Sequence, residues 1–362
     1  MRVLMTVDTV GGVWTYALEL ADALEPHGVE VVLAAMGPPP VPEQRAELAR
    51  SAAVELHCED VRLEWMEEPW ADVDRAGSWL LRLRDEVQPD VVHLNGYVHA
   101  ALPWGAPVLV VGHSCVLSWF RAVRGEGPPR GWERYARLVR DGLAQADLLV
   151  APTRAMLREL ERHYAPPGPR VVIPNGRRAS GVELPKEPFV LAAGRLWDEA
   201  KNLESLDRVA PRLPWPVVAA GALDPLRAPA HVRALGRLSR NETDTLLARA
   251  AIFAAPARYE PFGLAALEAG LAGCALVLGD IPSLREVWGD AALFVEPGDD
   301  DALVAALTLL VKKPELRPEL ALRAEARAGT FSAARMGAEY TAAYSRLLTA
   351  AERLEEIEEA LG

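Results

Sequence analysis

The feature that most constrains this chain is an alternation that runs twice. Apolar runs of strand length lie at 2–7, 29–34, 91–94, 108–111, 148–150 and 171–173, separated by segments of helical period such as 14–24, 79–87, 132–143 and 154–164. Strand followed by helix, repeated, implies a parallel sheet covered by helices on both faces. Runs that are apolar throughout, rather than alternating, suit strands buried on both sides. The pattern stops at 174–188, PNGRRASGVELPKEP, a Pro- and Gly-rich stretch with no apolar face that reads as an interdomain connection. It then restarts, with strands expected at 189–193, 217–220, 232–235, 252–255, 275–278 and 293–295 and helices at 202–209, 242–249, 264–270, 300–311 and 316–327. A long helical stretch from 333 closes the chain, and its many acidic residues suit a solvated face. A chain of 362 residues exceeds what one core holds. The expected class is therefore α/β, with two doubly wound Rossmann-like domains facing a deep cleft. Chemistry is expected in the turns that follow the strands, because ligands of such sheets bind beyond the strands' carboxyl ends.

Charge and composition narrow the function. Asp and Glu number 51 against 39 Lys and Arg, a formal charge of -12. An acidic chain is a poor nucleic-acid binder, since phosphate neutralisation supplies most of that affinity. No apolar run approaches transmembrane length, and the N-terminus reads as a strand rather than a signal peptide. Three scattered cysteines, Cys58, Cys115 and Cys274, argue against a disulfide framework or a zinc site and suit the cytoplasm. No His/Cys cluster or carboxylate trio has metal-ligand spacing, so neither a metal nor another cofactor is expected.

Two segments of the second half carry chemistry. In GRLWDEAKN, 194–202, Arg195 stands where a strand ends and Lys201 stands near a helix start. Two fixed cations beside a helix N-terminus form a site for a diphosphate. A salt-bridged loop, with Arg195 paired to Asp198 or Glu199, explains the same spacing. In RYEPFGLAALEAG, 258–270, Glu260 lies in the turn after another strand, Phe262, Gly263 and Leu264 open a helix, and Glu268 lies further along it. Gly263 permits close backbone approach to a ligand, and carboxylates accept hydrogen bonds from vicinal hydroxyls. A capping carboxylate plus a surface glutamate is the plainer alternative.

Together, Gly194-Arg195, Lys201-Asn202 and the Glu260 to Glu268 spacing resemble the retaining glycosyltransferases of family 4, which have the GT-B fold. The resemblance extends to Ile173-Pro174-Asn175-Gly176 and to Thr9-Val10-Gly11-Gly12 and covers essentially the whole chain. It implies an N-terminal acceptor-binding domain at 1–175, a C-terminal nucleotide-sugar-binding domain at 186–332, and a C-terminal helix at 333–362 that crosses back to the first domain. Arg195 and Lys201 would bind the donor diphosphate and stabilise the leaving group. Glu260 and the backbone of Phe262, Gly263 and Leu264 would hold the transferred sugar, and Glu268 the ribose. Arg237 and Leu238 match the place where the family packs the base. His113, after the strand 108–111, matches a histidine that contacts the donor sugar across the cleft.

Gly11 and Gly12 open the first helix, where backbone N–H groups could meet an anion; a tight turn fits as well, and the dinucleotide spacing G-x-G-x-x-G is absent. Asn95, Tyr97 and Trp119 are candidates for the acceptor pocket. The stretch 117–140 holds six arginines against two glutamates with aromatics interleaved, which suits an anionic acceptor, peripheral contact with a membrane surface, or a solvated helix with one packed face. The expected activity is transfer of a hexose-type sugar from a nucleoside diphosphate sugar, UDP preferred, to a hydroxyl of a glycan, glycolipid or small molecule, with retention of configuration. The alternatives are another GT-B protein, such as a nucleotide-sugar epimerase or a phosphorylase, and a non-catalytic sugar-binding relative.

Overall fold

Strands form where the apolar runs are longest, and their order creates two crevices. The computed structural model describes residues 1–361 except 52, 53, 225 and 227; for 354, 355 and 357–361 it describes the backbone alone. The chain divides into two units, one comprising Met1–Ser118, Gly127–Gly176 and the chain from Ala333, the other Arg177–Ser332 together with Trp119–Glu126.

The first unit runs β1 (Arg2–Asp8), α1 (Gly12–Leu24), β2 (Glu30–Met36), α2 (Pro42–Leu48), β3 (Val54–Glu59), α3 (Trp70–Val87), β4 (Val91–Leu94) and β5 (Val108–Val111). It continues through α4 (Val116–Arg124), α5 (Glu133–Gln145), β6 (Leu148–Ala151), α6 (Arg154–Tyr164) and β7 (Arg170–Val172). Residues of α4 from Trp119 onward group with the second unit. The sheet order is β3-β2-β1-β4-β5-β6-β7, and every pairing is parallel. Strand order reverses between β1 and β4, so their carboxyl ends flank a switch-point crevice. β4 and β5 fall where the sequence places them, because each is buried along its whole length. The edge strand β3 alternates polar and apolar residues (VELHCE), is half exposed, and lacks the apolar run that marks the others. The short helices α2 and α10, seven residues each, are likewise absent from the sequence reading.

The second unit runs β8 (Glu187–Ala193), α7 (Leu203–Val209), β9 (Val217–Ala220), β10 (Arg233–Ala234), α8 (Arg240–Arg249) and β11 (Ala250–Ala255). It continues with α9 (Leu264–Leu271), β12 (Ala275–Gly279), α10 (Pro282–Trp288), β13 (Leu293–Val295), α11 (Asp300–Lys312) and α12 (Leu316–Ala328). Its order, β10-β9-β8-β11-β12-β13, is again all parallel, with the switch between β8 and β11. Strand periodicity divides its core into two layers. Phe189, Leu191, Val218, Ala220, Leu276 and Leu278 pack into one with Trp288 and Phe253. Val190, Ala192, Val217, Ala219, Ala275 and Val277 pack into the other with Leu303 and Leu307. Successive side chains of a strand point to opposite faces, and here both faces are apolar. Burying a side chain of the size of Leu276 contributes roughly 1.5–3 kcal/mol.

The last helix, α13 (Ala333–Leu361), belongs to the first unit and lies along α1. The two helices approach so closely that a Cβ at Gly337 would overlap the Ala23 carbonyl. The returning C-terminal helix expected from the resemblance is thus present, and it delivers Tyr340 and Tyr344, both fully buried, into the first unit's core.

Candidate active site

In the second unit the two sequence segments meet at the switch point. β8 is followed by Gly194 (φ 135°) and β9 by Gly221 (φ 143°), and a Cβ on Gly221 would overlap the Gly194 carbonyl. The chain therefore turns sharply and presents Arg195 just beyond the strand end. Its guanidinium is 3.9 Å from Asp198, outside hydrogen-bond reach, and its side chain is 39% exposed. Asp198 is engaged elsewhere: Oδ1 accepts from the Trp119 indole at 3.0 Å and from the Ala200 amide at 3.0 Å. The salt-bridged-loop alternative for Arg195 is met only by this long, part-exposed ion pair with Asp198.

The Asp198 cap starts a single 3-10 turn, Glu199–Lys201, that carries Lys201 back over the strand end. Asn202 follows in the left-handed region (φ 57°) and ties to the Pro256 carbonyl at 2.9 Å, which joins the turns after β8 and β11. Lys201 Nζ donates to Glu260 Oε2, and both side chains are about four-fifths buried. The Glu260 carbonyl accepts from Ser283 Oγ at 2.5 Å, which fixes the turn from below. A cavity of about 20 Å³ lies beside this pair. Phe262 is buried edge-on against Phe331 at 5.6 Å. Gly263 (φ 94°) caps α9 with no side chain on the first amides; a Cβ there would press Leu284 Cδ2 at 3.2 Å in a backbone region closed to most residues.

Glu268 lies in a buried ionic network that sequence spacing does not show. Its Oε1 meets Arg177 Nε at 2.8 Å and Arg240 Nη1 at 2.7 Å, and Arg240 Nε in turn meets Asp244 at 3.0 Å. Burial pushes the Glu268 pKa upward, Arg240 pulls it down, and Asp244 pushes it up again. The Arg240 contact is a charge-assisted hydrogen bond to the carboxylate, and Arg177 meets it as an ion pair. Arg240 opens α8 behind a Ser239–Glu242 capping box, and Arg177 sits in the connection between sheets, its amide bonded to the Phe331 carbonyl at 2.9 Å. Arg237 is exposed after Gly236 (φ 70°), and Leu238 packs partly against the core layer that contains Phe262.

In the first unit the residues named from sequence occupy the ends of β1, β4 and β5. Asp8 Oδ1 accepts from the amides of Val10 and Gly11, each at 2.9 Å. The Gly11 N–H expected to face an anion is therefore engaged by this chain's own carboxylate, and Gly12 begins α1 beside it. Tyr97 is buried, with its hydroxyl on the Ser114 carbonyl at 2.7 Å and its amide on Glu64. His113 is half-buried: its ring lies edge-on to Tyr16 at 4.5 Å, and Nε2 is 2.7 Å from Asn95 Oδ1. His93, wholly buried, lies between Asn95 Oδ1 (3.3 Å) and the Tyr344 hydroxyl (2.6 Å).

Burial lowers the pKa of both imidazoles to about 3; for His93 the neighbouring His113 lowers it further and the Asn95 bond opposes. Both rings are neutral when folded, whereas an unfolded histidine binds a proton below about 6.5. The unfolded state then holds more protons, so stability falls as pH drops below about 6.5 towards 3. Each ring contributes a slope of about 1.4 kcal/mol per pH unit within that window. Denaturant unfolding at pH 6.5, 5.5 and 4.5 is expected to show this decline; a flat profile would contradict neutral burial.

Two family models cover this ground. Residues 10–179 match the model of Glycosyltransferase Family 4, and residues 177–327 match that of Glycosyl transferases group 1. The chain belongs to the family 4 glycosyltransferases. In this family member the matched ranges contain Gly11, Asn95 and His113 on one side and Arg195, Lys201, Glu260 and Glu268 on the other. It is 30% identical to O-antigen chain mannosyltransferase B of Escherichia coli over 40% of this chain and 34% of that one. With glycogen synthase of Mycobacterium tuberculosis it shares 26% over 66% of this chain and 65% of that one. The match thus spans a third of the first relative's length and just under two thirds of the second's. Sucrose-phosphate synthase from Thermosynechococcus elongatus shares the fold at TM-score 0.78 and 17% identity, over 97% of this chain and 100% of that one. Anabaena HepE in complex with UDP and glucose does so at 0.75 and 14%, over 96% and 100%.

The basic stretch of this glycosyltransferase is two helices, α4 and α5, broken by the loop around Gly125 and Gly131. Part of its charge is paired: Arg124 meets Glu199 at 2.8 Å, and Arg134 stacks over Trp70 at 4.7 Å. Tyr135 is buried, which gives α5 its packed face. Among the described residues no helix is long and apolar enough to cross a membrane, and no group of three or more His, Cys, Asp or Glu is placed to hold a metal ion.

Proposed function

We propose that this chain transfers a hexose-type sugar from a nucleoside diphosphate sugar to an acceptor hydroxyl, with retention of anomeric configuration. The observation that carries the reading is the convergence of Arg195, Lys201 and Glu260 at the switch point of the second sheet, where doubly wound folds bind nucleotides. Arg195, held only loosely by Asp198, and Lys201 supply the positive charge that a departing diphosphate needs, so no metal is required. In the free protein Lys201 is neutralised by Glu260. Donor binding exchanges partners: Lys201 turns to the diphosphate, and the released Glu260 carboxylate accepts from sugar hydroxyls. Glu268, 8 positions further along the chain, takes the ribose. Retention is assigned to front-side attack, with the diphosphate taking up the acceptor's proton. UDP is the preferred carrier, in keeping with the UDP and glucose bound by Anabaena HepE. The mannosyltransferase and glycogen synthase relatives support a hexose. The scattered free cysteines suit a reducing cytoplasm.

A thermal-shift screen of UDP, GDP, ADP and dTDP tests the donor site. At a hundredfold excess over Kd one nucleotide is expected to add about 2.7 kcal/mol and raise Tm by several degrees. If none of the four shifts Tm at millimolar concentration, the donor-site assignment fails.

A further inference from the structure

The second unit holds a larger cavity outside the site described above. It measures about 230 Å³, well beyond the ~10–15 Å³ that one water needs. Its walls come from the turn after β8, from α7, from the loop after β9 and from the turn after β11. It shares Leu196 and Leu203 with the small cavity beside Lys201 and Glu260, but neither of those two charged residues lines it. Two of its polar groups lack a partner. Asn202, 2% exposed, spends Nδ2 on the Pro256 carbonyl at 2.9 Å. A flipped amide would set two acceptor oxygens against each other, so the atom left over is Oδ1, an acceptor. It is buried and has no hydrogen-bond partner among the described residues. Arg258 brings a cation to the same wall. Its amide donates to the Ala200 carbonyl at 2.8 Å, which holds the residue against the turn that carries Lys201. Its guanidinium makes no hydrogen bond or ion pair among the described residues. The carboxylates of the wall differ, because they are engaged within the protein. Asp207 accepts from the amides of Ala230, His231 and Val232 at 2.7–3.0 Å, Asp198 holds the Trp119 indole and the Ala200 amide, and Glu199 pairs with Arg124 at 2.8 Å.

The two unpartnered groups select an occupant by chemistry. The amide oxygen only accepts, and the guanidinium only donates. An organic cation would serve the first and be repelled by the second; an anion would do the reverse. A hydroxyl both donates and accepts, so neighbouring hydroxyls of one ligand serve both groups. Trp197 adds an apolar face. At 37% exposure it is the only exposed Trp, Tyr or Phe among the described residues, and it lines this cavity. A pyranose ring combines hydroxyls around its rim with C–H groups on its faces. We infer that this cavity is a second sugar site of the protein, which takes one pyranose unit with a C–H face on Trp197 and hydroxyls on Asn202 Oδ1 and the Arg258 guanidinium. Carboxylates that already accept one bond keep lone pairs for further hydroxyls. Lys201 and Glu260 take no part in this site, so it stands independently of the proposed donor site. It holds a glycan by a unit other than the one transferred.

Fluorine NMR of the full-length protein labelled with fluorotryptophan reads this site through Trp197, whose signal is assigned by its loss in Trp197→Phe. The probes are the methyl glycosides of glucose, mannose and galactose, with spermidine and inorganic phosphate as purely charged controls. At least one glycoside is expected to move the Trp197 signal saturably, and to do so equally in Glu260→Gln and with UDP present. Arg258→Met is expected to weaken that response about tenfold, the equivalent of one hydrogen bond. Unchanged dispersion of the remaining tryptophan signals shows that this variant folds. Trp197→Leu, at an exposed position, supplies a second variant: combined with Glu260→Gln, it is expected to abolish saturation transfer from the protein to the same glycoside. A Trp197 signal that no glycoside moves, to the limit of sugar solubility, overturns the inference. So does a signal moved by spermidine or phosphate alone. A response lost in Glu260→Gln and kept in Arg258→Met places the sugar in the donor site and overturns the second site while the donor reading stands.

Discussion

Replacing Arg195 with alanine is expected to lower kcat for sugar transfer by about 10²–10³-fold while Tm stays within a degree or two of the parent. The two halves of this result have separate causes. Loss of rate follows because charge develops on the leaving diphosphate in the transition state, and a fixed cation aimed at it acts more strongly there than on the bound donor. KM for the donor should therefore change less than kcat. The small effect on stability follows from exposure: the guanidinium is 39% exposed and 3.9 Å from Asp198, a pair of the kind worth at most about 1 kcal/mol. Its ring contact is equally loose, 5.9 Å over Trp197. Lys201→Ala should differ in one respect. It is expected to lose comparable rate but also to lower Tm, because Glu260, about four-fifths buried, is left without its cation. Steady-state kinetics and calorimetry on the two variants check this. Arg195→Ala with parental kcat removes Arg195 from the donor site, and equal Tm in both variants contradicts the Lys201–Glu260 pair.

Sequence reading found the parts of this site that lie within a few residues of a strand end. Arg195 stands 2 positions after β8, and Glu260 stands 5 after β11. Each strand is visible because it is apolar on both faces. The partners of these residues were not legible, because the pairing joins distant segments. Arg177 reaches Glu268 from the connecting stretch, where its neighbours offer no periodicity and the Pro and Gly content reads only as a linker. Arg240 looks like a surface residue in a first helical turn until α8 is placed against α9. The Asn95 amide, set on a strand end between Leu94 and Gly96, reads as pocket lining; only the strand order β1-β4-β5 brings Thr6 and His113 to either side of it. Edge strand β3 escaped notice for the opposite reason: with one side towards solvent it carries few apolar residues to announce it.

The second large effect is expected at Glu268. Truncation to alanine leaves Arg177 and Arg240 buried, at 8% and 20% side-chain exposure, with Asp244 as the remaining carboxylate on Arg240. Breaking a buried pair by removing one partner costs roughly 3–5 kcal/mol, since the desolvated charge that remains loses much of its compensation. For a unit of this size that is a fall in Tm of about 10 °C. Nucleotide binding should weaken as well, because the carboxylate assigned to the ribose is gone. Glu268→Gln separates the two effects. The amide oxygen keeps an acceptor in place of Oε1, so part of the stability should return, but a neutral acceptor facing two guanidiniums restores less than the charged one. If the network is a unit, Glu268→Leu combined with Arg240→Met should cost less than the sum of the single changes, since removing both partners leaves less unpaired charge than removing either. Additive losses in that double-mutant cycle, measured by denaturant unfolding, would show that Glu268 and Arg240 do not share the bond seen at 2.7 Å. A Glu268→Ala protein with unchanged Tm and reduced nucleotide affinity would assign the carboxylate to the ligand alone.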